Sequence, residues 1–351
     1  GRVIVASPRA EMGQGVHSAL AMLVAEELDA DWKQVSTEQA PLAQIYANTA
    51  VMVNVLPFSA DDDSLLANLA RRSMQRVGYL LSLQITGGSS SIRDAWEPLR
   101  LAGATARAML LDAAAQRWNV TPESCQVQAG VVRHPASGRQ AGFGELAPDA
   151  ARISPRQDLT LKTPSQFRLI GKPMPRTDIP AKVNGQAQFG IDVRPDGLLY
   201  AAIRHCPVLG GTLRKLDPSA AKASRGVADV IVLQERAVVV LADRYWRAKQ
   251  ALDALAIEWD EGAHAQLDSS QIRAQLQVAL DAGAPGTGFR QQGDAEGVLS
   301  QASRKLEAVY SAPFLAHAAM EPINCTAQFK DGQLTVWCGT QVASLARWKA
   351  A

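Results

Sequence analysis

Residues 3–28 read VIVASPRAEMGQGVHSALAMLVAEEL. Val3 to Val5 has the composition of a short strand. Glu11-Met12-Gly13-Gln14-Gly15 follows as a loop. Then Val16, Leu20, Leu23, Val24 and Leu28 recur at helical spacing. Strand, glycine loop and helix in that order form a site-bearing unit. Glycine lets the backbone adopt positive φ and come close to a ligand. The N–H groups at the helix start that follows can hold an anion such as a phosphate. Gly13 and Gly15 are therefore candidate binding residues, and Gln14 adds an amide that both donates and accepts. The plain alternative is an ordinary tight turn.

A second loop of this kind is Thr86-Gly87-Gly88-Ser89-Ser90-Ser91. Serine before a helix is commonly a cap. Three serines after Gly-Gly exceed what a cap requires and suit a polar, phosphate-bearing ligand. The Ala- and Leu-rich stretch from Ile92 to Trp118 reads as a long helix that Pro98 should kink or restart. Val35 to Glu38 and Cys125 to His134 read as strands, with Pro135 to Gly138 as a turn.

Prolines 148, 155, 164, 173, 175 and 180 punctuate the next stretch, which reads as a linker between domains, placed at 166–185. Beyond it lie strands at Leu198–Arg204, Val227–Leu233, Val238–Ala242 and Ala256–Trp259, with a helix over Arg244–Leu255. Gln271 to Leu280 looks helical, and Ala282 to Gly288 reads as a flexible loop. Cys325–Phe329 and Leu334–Trp337 flank Asp331-Gly332 as a hairpin. The fold class is α+β, and 351 residues imply two or three domains.

Composition excludes several roles. Thirty-six basic and 34 acidic side chains leave a net charge of +2, which gives no reason to expect nucleic acid or an anionic membrane as partner. No apolar run reaches the roughly 18 residues that span a bilayer; the best, 227–241, is broken by Asp229, Gln234, Glu235 and Arg236. Gly1 to Val5 already reads as strand, so this end does not speak to compartment. Cys125, Cys206, Cys325 and Cys338 have no C-x-x-C spacing and imply neither a disulfide framework nor a metal cluster held by this chain. His317 and Glu321 are four apart, but Pro322 disfavours a helix there, and a structural role is the better reading. Glu26-Glu27 and Asp61-Asp62-Asp63 read as solvated surface.

Taken in order, the segments Glu11–Gly15 with Ala25–Leu28, Thr86–Arg93, Phe189-Gly190-Ile191-Asp192-Val193, Leu315–Ala327 and Gly339-Thr340-Gln341 resemble the molybdopterin-binding subunit of the xanthine oxidase and aldehyde oxidase family. The resemblance points to the branch of the isoquinoline 1-oxidoreductase beta subunits, which includes membrane-associated bacterial aldehyde dehydrogenases. It implies a division into a molybdopterin-binding core portion at 1–165, the linker at 166–185, an α/β hammerhead domain at 186–262, and the incomplete start of the first large cofactor domain at 263–351. It implies that Gly13, Gln14, Gly15, Gly87, Gly88, Ser89, Ser90 and Ser91 hold molybdopterin cytosine dinucleotide, and that Gln341 approaches the molybdenum. The implied reaction oxidises an aldehyde or N-heterocycle with water as oxygen source. Electrons then leave to [2Fe–2S] clusters on a small partner subunit, with a c-type cytochrome as a further partner, in a bacterial periplasmic or cytoplasmic-membrane-associated complex.

The family's Gly-Gly-Gly-Phe-Gly stretch and catalytic glutamate have no counterpart in 1–351. No catalytic or metal-ligating residue is therefore expected in this chain. The remainder of the large subunit is then an implied partner, and the chain alone is expected to be inactive. Two rivals stand beside this reading. One is a non-catalytic split or truncated chain that serves as an assembly surface. The other is a phosphate-cradling transferase, disfavoured because no Walker-type lysine follows either loop.

Overall fold

The computed structural model describes residues 1–58, 61–283 and 293–351. Most of the loop expected at 282–288 lies outside the described residues. The chain divides into two compact units, one of residues 1–192 with 323–351, the other of 193–322.

In the first unit, β1 (Val3–Ser7) pairs in parallel with β2 (Val35–Gln39), joined through α1 (Val16–Leu28). A short α2 (Ala50–Val53) and α3 (Leu65–Leu80) precede α4 (Ser91–Trp118). Helix α4 runs unbroken through Pro98, where composition suggests a kink or restart. Its packing on α1 overrides that local preference. The two helices approach so closely that a Cβ on Gly103 would sit 2.4 Å from the Val24 carbonyl oxygen, so only glycine fits there. Val16, Leu20 and Leu23 of α1 bury against Ala95, and the far half of α4 packs Leu110, Ala113 and Ala114 beneath a small sheet.

That sheet corrects the reading of 125–134 as one strand. It is a meander of β3 (Gln126–Gln128), β4 (Val131–His134) and β5 (Arg139–Gly142), followed by α5 (Phe143–Ala150). Ala129 and Gly130 both have positive φ, 49° and 78°, as a two-residue hairpin turn needs. Alanine in that place hides the turn, because it carries none of the usual Asn or Gly signal.

Glu26 and Glu27 are not solvated surface. They are 1% and 0% exposed. Glu26 accepts from the backbone N–H groups of Arg168, Leu169 and Ile170 at 2.7–3.1 Å and from Lys162 Nζ at 3.2 Å. Burial pushes its carboxyl up, but these donors outweigh it and hold the pKa below the ordinary value. Glu27 accepts from Arg100 Nε and Nη2 at 2.9 and 2.7 Å and from the Lys162 N–H at 3.2 Å. The proline-punctuated segment is thus strapped onto α1 through buried acceptors. Short apolar runs are no bar to ordering when carboxylates hold the backbone. Asp61 and Asp63 are exposed, as their charge suggests.

A five-residue α6 (Ile179–Val183) ends the strap. In the second unit, β6 (Tyr200–His205), β9 (Ala237–Ala242) and β8 (Val227–Leu233) form an antiparallel sheet with β9 in the middle. The apolar run of β9 suits that place, since a central strand is covered along its length. Beside it, β7 (Thr212–Leu216) pairs antiparallel with β10 (Ile257–Asp260) across a register shift. Helices α7 (Ser219–Lys222) and α8 (Tyr245–Asp253) complete the core, where Ala248, Ala251 and Leu252 meet Val238 and Val240. Helices α9 (Ser269–Asp281) and α10 (Ala295–Gln301) bury none of their residues. His317 lies in exposed coil, so it shares no helical face with Glu321.

The chain returns to the first unit as the hairpin of β11 (Cys325–Lys330) and β12 (Gln333–Cys338), then α11 (Ala343–Ala350). Helices and mainly antiparallel sheets are mixed in both units, in keeping with an α+β composition. Among the described residues, no helix is long and apolar enough to cross a membrane, and no three metal-ligating side chains cluster.

Candidate cofactor-binding loops

Strand β1 runs into the first glycine loop and α1 leaves it. Gly15 caps α1 at φ 85°, ψ 15°, without a side-chain cap of its own. The cap comes from four residues upstream. Glu11 Oε1 accepts from the Gly13 and Gly15 N–H groups at 2.8 and 2.9 Å, and Oε2 accepts from the His17 N–H at 3.0 Å. Arg176, from the strap, donates to the Gly13 carbonyl at 2.8 Å and approaches Glu11 Oε1 at 3.3 Å. Burial opposes ionisation of Glu11, but the three N–H groups and Arg176 prevail and hold its carboxyl below the usual range. Three of the donors that the sequence offered to an external anion, the N–H groups of Gly13, Gly15 and His17, are therefore engaged by the chain's own carboxylate. Gln14 is folded back as well, accepting from the Met12 N–H at 2.6 Å and donating to the Ala10 carbonyl at 3.1 Å.

The second loop is held from beneath. Ser90 is fully buried; its hydroxyl accepts from Asn48 Nδ2 at 2.7 Å and donates to the Gly87 carbonyl at 2.6 Å. Asn54 Nδ2 donates to the Gly88 carbonyl at 2.8 Å, and Arg93 donates to Asn54 Oδ1 at 2.6 Å. Gly88 has φ 59°, and a Cβ there would meet Asn54 Nδ2 at 2.6 Å. Outward groups remain at Gly87, Ser89 and Ser91. A Cβ on Gly87 would meet nothing within 4 Å. The N–H groups of Ser91, Ile92 and Arg93, which open α4, make no hydrogen bond among the described residues. Here the donors fit an oxyanion-bearing ligand; at the first loop those of Gly13, Gly15 and His17 are already satisfied.

The start of α4 is anchored through Asp94. Its Oδ1 accepts from the N–H and hydroxyl of Thr49 at 2.8 and 3.0 Å and from the Ala50 N–H at 2.9 Å. Its other oxygen pairs with Arg9, which is 1% exposed. Arg9 also donates to the Pro8 and Tyr46 carbonyls, each at 3.0 Å. Burial acts most strongly to lower the Arg9 pKa, with Asp94 opposing it.

Thr86 joins the parts. Its hydroxyl accepts from the Ala10 N–H at 2.8 Å, at the root of the first loop. Its N–H donates to the Gln341 carbonyl at 2.7 Å, and its carbonyl accepts from Gln341 Nε2 at 2.9 Å. Gln84 and Ser344 extend the contact. Gly13–Gly15, Gly87–Ser91 and Gln341, distant in sequence, are thereby brought to one place. Sequence reasoning missed Arg9, Asp94, Asn48, Thr86 and Arg176 as the residues that assemble it. Only Thr86, directly before Gly-Gly, carried any local signal.

Residues 282–351 match the family described as molybdopterin cofactor-binding domain. Across its whole length the chain is 31% identical to the beta subunit of isoquinoline 1-oxidoreductase from Brevundimonas diminuta, of which it covers 46%. It is 29% identical over 98% of its length to a membrane-bound aldehyde dehydrogenase (pyrroloquinoline-quinone) of Gluconacetobacter polyoxogenes, covering 42% of that protein. With a nicotinate dehydrogenase of Pseudomonas putida it shares 28% identity over 99% of its length and 27% of the relative's. The chain thus spans less than half the length of these relatives. Similarity to these relatives from end to end, together with a match to the cofactor-binding domain itself, supports the resemblance to the molybdopterin-binding subunits of the xanthine oxidase family.

Proposed function

We propose that this chain supplies the dinucleotide-holding loops of a molybdenum hydroxylase that oxidises an aldehyde or N-heterocycle. The observation that carries the reading is the junction at Thr86, where three separate segments meet. When bound, molybdopterin cytosine dinucleotide supplies the redox chemistry, with water as oxygen source. The chain's own residues bind and orient. The N–H groups opening α4, with Gly87, Ser89 and Ser91, receive the phosphates. Gly88 lets the backbone turn beneath them, and Ser90 holds the loop from below. Gly13, Gln14 and Gly15 form a rigid wall rather than a second anion cradle, because Glu11 and Arg176 fasten them. Gln341 has two amide hydrogens; one is engaged by Thr86, and the other is available to an oxygen near the metal.

The scattered cysteines support a division of labour in which a small [2Fe–2S] subunit, followed by a c-type cytochrome, receives the electrons. The catalytic base belongs to the remainder of the large subunit, and the complex is bacterial, periplasmic or membrane-associated. The native complex should release cytidine monophosphate and molybdenum in equal amounts, together with iron from a second chain. In Gly87→Val both nucleotide and molybdenum should fall together while the fold is retained. A native complex with neither metal nor nucleotide, or a Gly87→Val variant loaded like its parent, would reject the reading.

A further inference from the structure

The β11–β12 hairpin turns on Asp331-Gly332, both at positive φ, 51° and 74°. That is the backbone of a two-residue type I′ turn. Lys330 and Gln333 are the first registered pair beyond it. In such a hairpin the closing pair is hydrogen-bonded, and pairs alternate from there. Counting outward, 329 with 334, 327 with 336 and 325 with 338 are the non-hydrogen-bonded pairs. Cys325 therefore faces Cys338 on one side of the sheet. Partners of this kind have Cα atoms roughly 4.5 Å apart, within but near the short end of the roughly 4.4–6.8 Å that a disulfide spans.

Both thiols are free; Cys325 is exposed and Cys338 half-buried. Desolvation, together with the Cys338 thiol, pushes the Cys325 pKa up. Three residues beyond Cys338, the chain reaches Gln341 and its two hydrogen bonds to Thr86. The end of β12 thus holds the segment that closes the cofactor junction.

We propose that Cys325 and Cys338 are a redox-sensitive pair that closes into a reversible cross-strand disulfide by exchange with a small-molecule disulfide, tightening the strand from which Gln341 extends. One protein thiolate attacks a sulfur of the small disulfide and releases one small thiol, leaving a mixed disulfide. The second cysteine attacks the protein sulfur of that mixed disulfide and releases the other small thiol. Two protein S–H bonds are lost and two small-molecule S–H bonds form, so the electron pair passes to the small disulfide. The proposal is independent of which substrate the enzyme takes.

The test uses the complete large subunit in its native complex, incubated with oxidised glutathione, then alkylated and digested with trypsin without reduction. Trypsin cuts after Lys305, Lys330 and Arg347 but at no site within 306–329 or 331–346. Peptides 306–330 and 331–347 should stay joined by one bond and separate on reduction. The joined species should be absent in Cys325→Ser and in Cys338→Ser, and should form faster as pH rises toward the thiol range. Exchange of the Thr86 amide hydrogen, which is donated to the Gln341 carbonyl, should slow in the oxidised form. Recovery of both cysteines as separately alkylated thiols, as glutathione adducts only, or paired with Cys125 or Cys206 would overturn the disulfide. Unchanged Thr86 protection after full oxidation would overturn its coupling to the junction.

Discussion

At the loop at 13–15, Glu11 takes the N–H groups of Gly13, Gly15 and His17; at the loop at 87–91, the backbone N–H groups that open α4 meet no side-chain acceptor among the described residues. As sequence the two loops make the same offer, with glycines ahead of a helix start. One has been closed by an internal carboxylate four residues upstream. The other is supported from below by Ser90 and Asn54 and left open above. A glycine motif therefore states that backbone donors are present, and the surroundings decide whether a ligand can use them.

The largest effect should come from the anchor both loops share. Asp94→Ala leaves Arg9 buried and unpaired, and frees the Thr49 and Ala50 donors. Breaking one side of a buried ion pair costs about 3–5 kcal/mol. Denaturant unfolding of the first unit within the complete large subunit should show a loss of that size. A change under about 1 kcal/mol would mean the anchor is not holding the loops.

Next in size is a contrast of glycines in the open loop. Gly88→Val puts a β-branched side chain at φ 59° and against Asn54, and should destabilise by about 2–4 kcal/mol from strain and overpacking together. Gly87→Ala meets open space and should leave stability near that of the parent while lowering cofactor content. Thermal unfolding and molybdenum-to-protein ratios on the same samples would separate the two. Equal loading of Gly87→Ala and parent would remove the open loop's special status.

Glu11→Gln sharpens the comparison from the closed side. The amide keeps an accepting oxygen but loses the charge that Arg176 and the N–H groups hold, at about 1–3 kcal/mol. The effect should depend on pH. The folded-state pKa of Glu11 is depressed, so its contribution is fully present above the ordinary value of 4.5 and is lost as pH falls through the folded value. The gap between variant and parent should therefore be full and constant above 4.5 and close as pH falls below it. Parallel stability curves across that range would show that the carboxylate is not what closes the loop.

The smallest effect on stability belongs to Gln341→Ala. It removes one hydrogen bond to Thr86 and leaves the backbone bond, a loss of about 0.5–1.5 kcal/mol. If the second amide hydrogen also serves an oxygen near the metal, turnover in the complete enzyme should fall roughly a hundredfold, or about 2–4 kcal/mol, at unchanged molybdenum loading. Turnover within about twofold of the parent, well short of that loss, would confine Gln341 to bracing the junction.

Periodicity and turn chemistry are local, so the chain's regular elements are legible in its sequence. The apolar spacing of 16–28 specifies α1, Val238 to Ala242 a buried strand, and Asp331-Gly332 a hairpin. Motif order along the chain carries the family. What sequence leaves open is every question that depends on a distant partner. Glu26 and Glu27 look like surface until Lys162, Arg100 and the backbone of 168–170 reach them. Pro98 looks like a break until Gly103 packs α4 on α1. Residues 166–185 read as a linker, and nothing in their own sequence says that Glu26 and Arg176 fasten part of them to the first unit. Glu11, Thr86 and Gln341 acquire their parts only when strand, strap and hairpin meet. A carboxylate's preference for water or for backbone N–H groups is decided by what the fold brings within about 3 Å of it. No spacing in one segment records that distance.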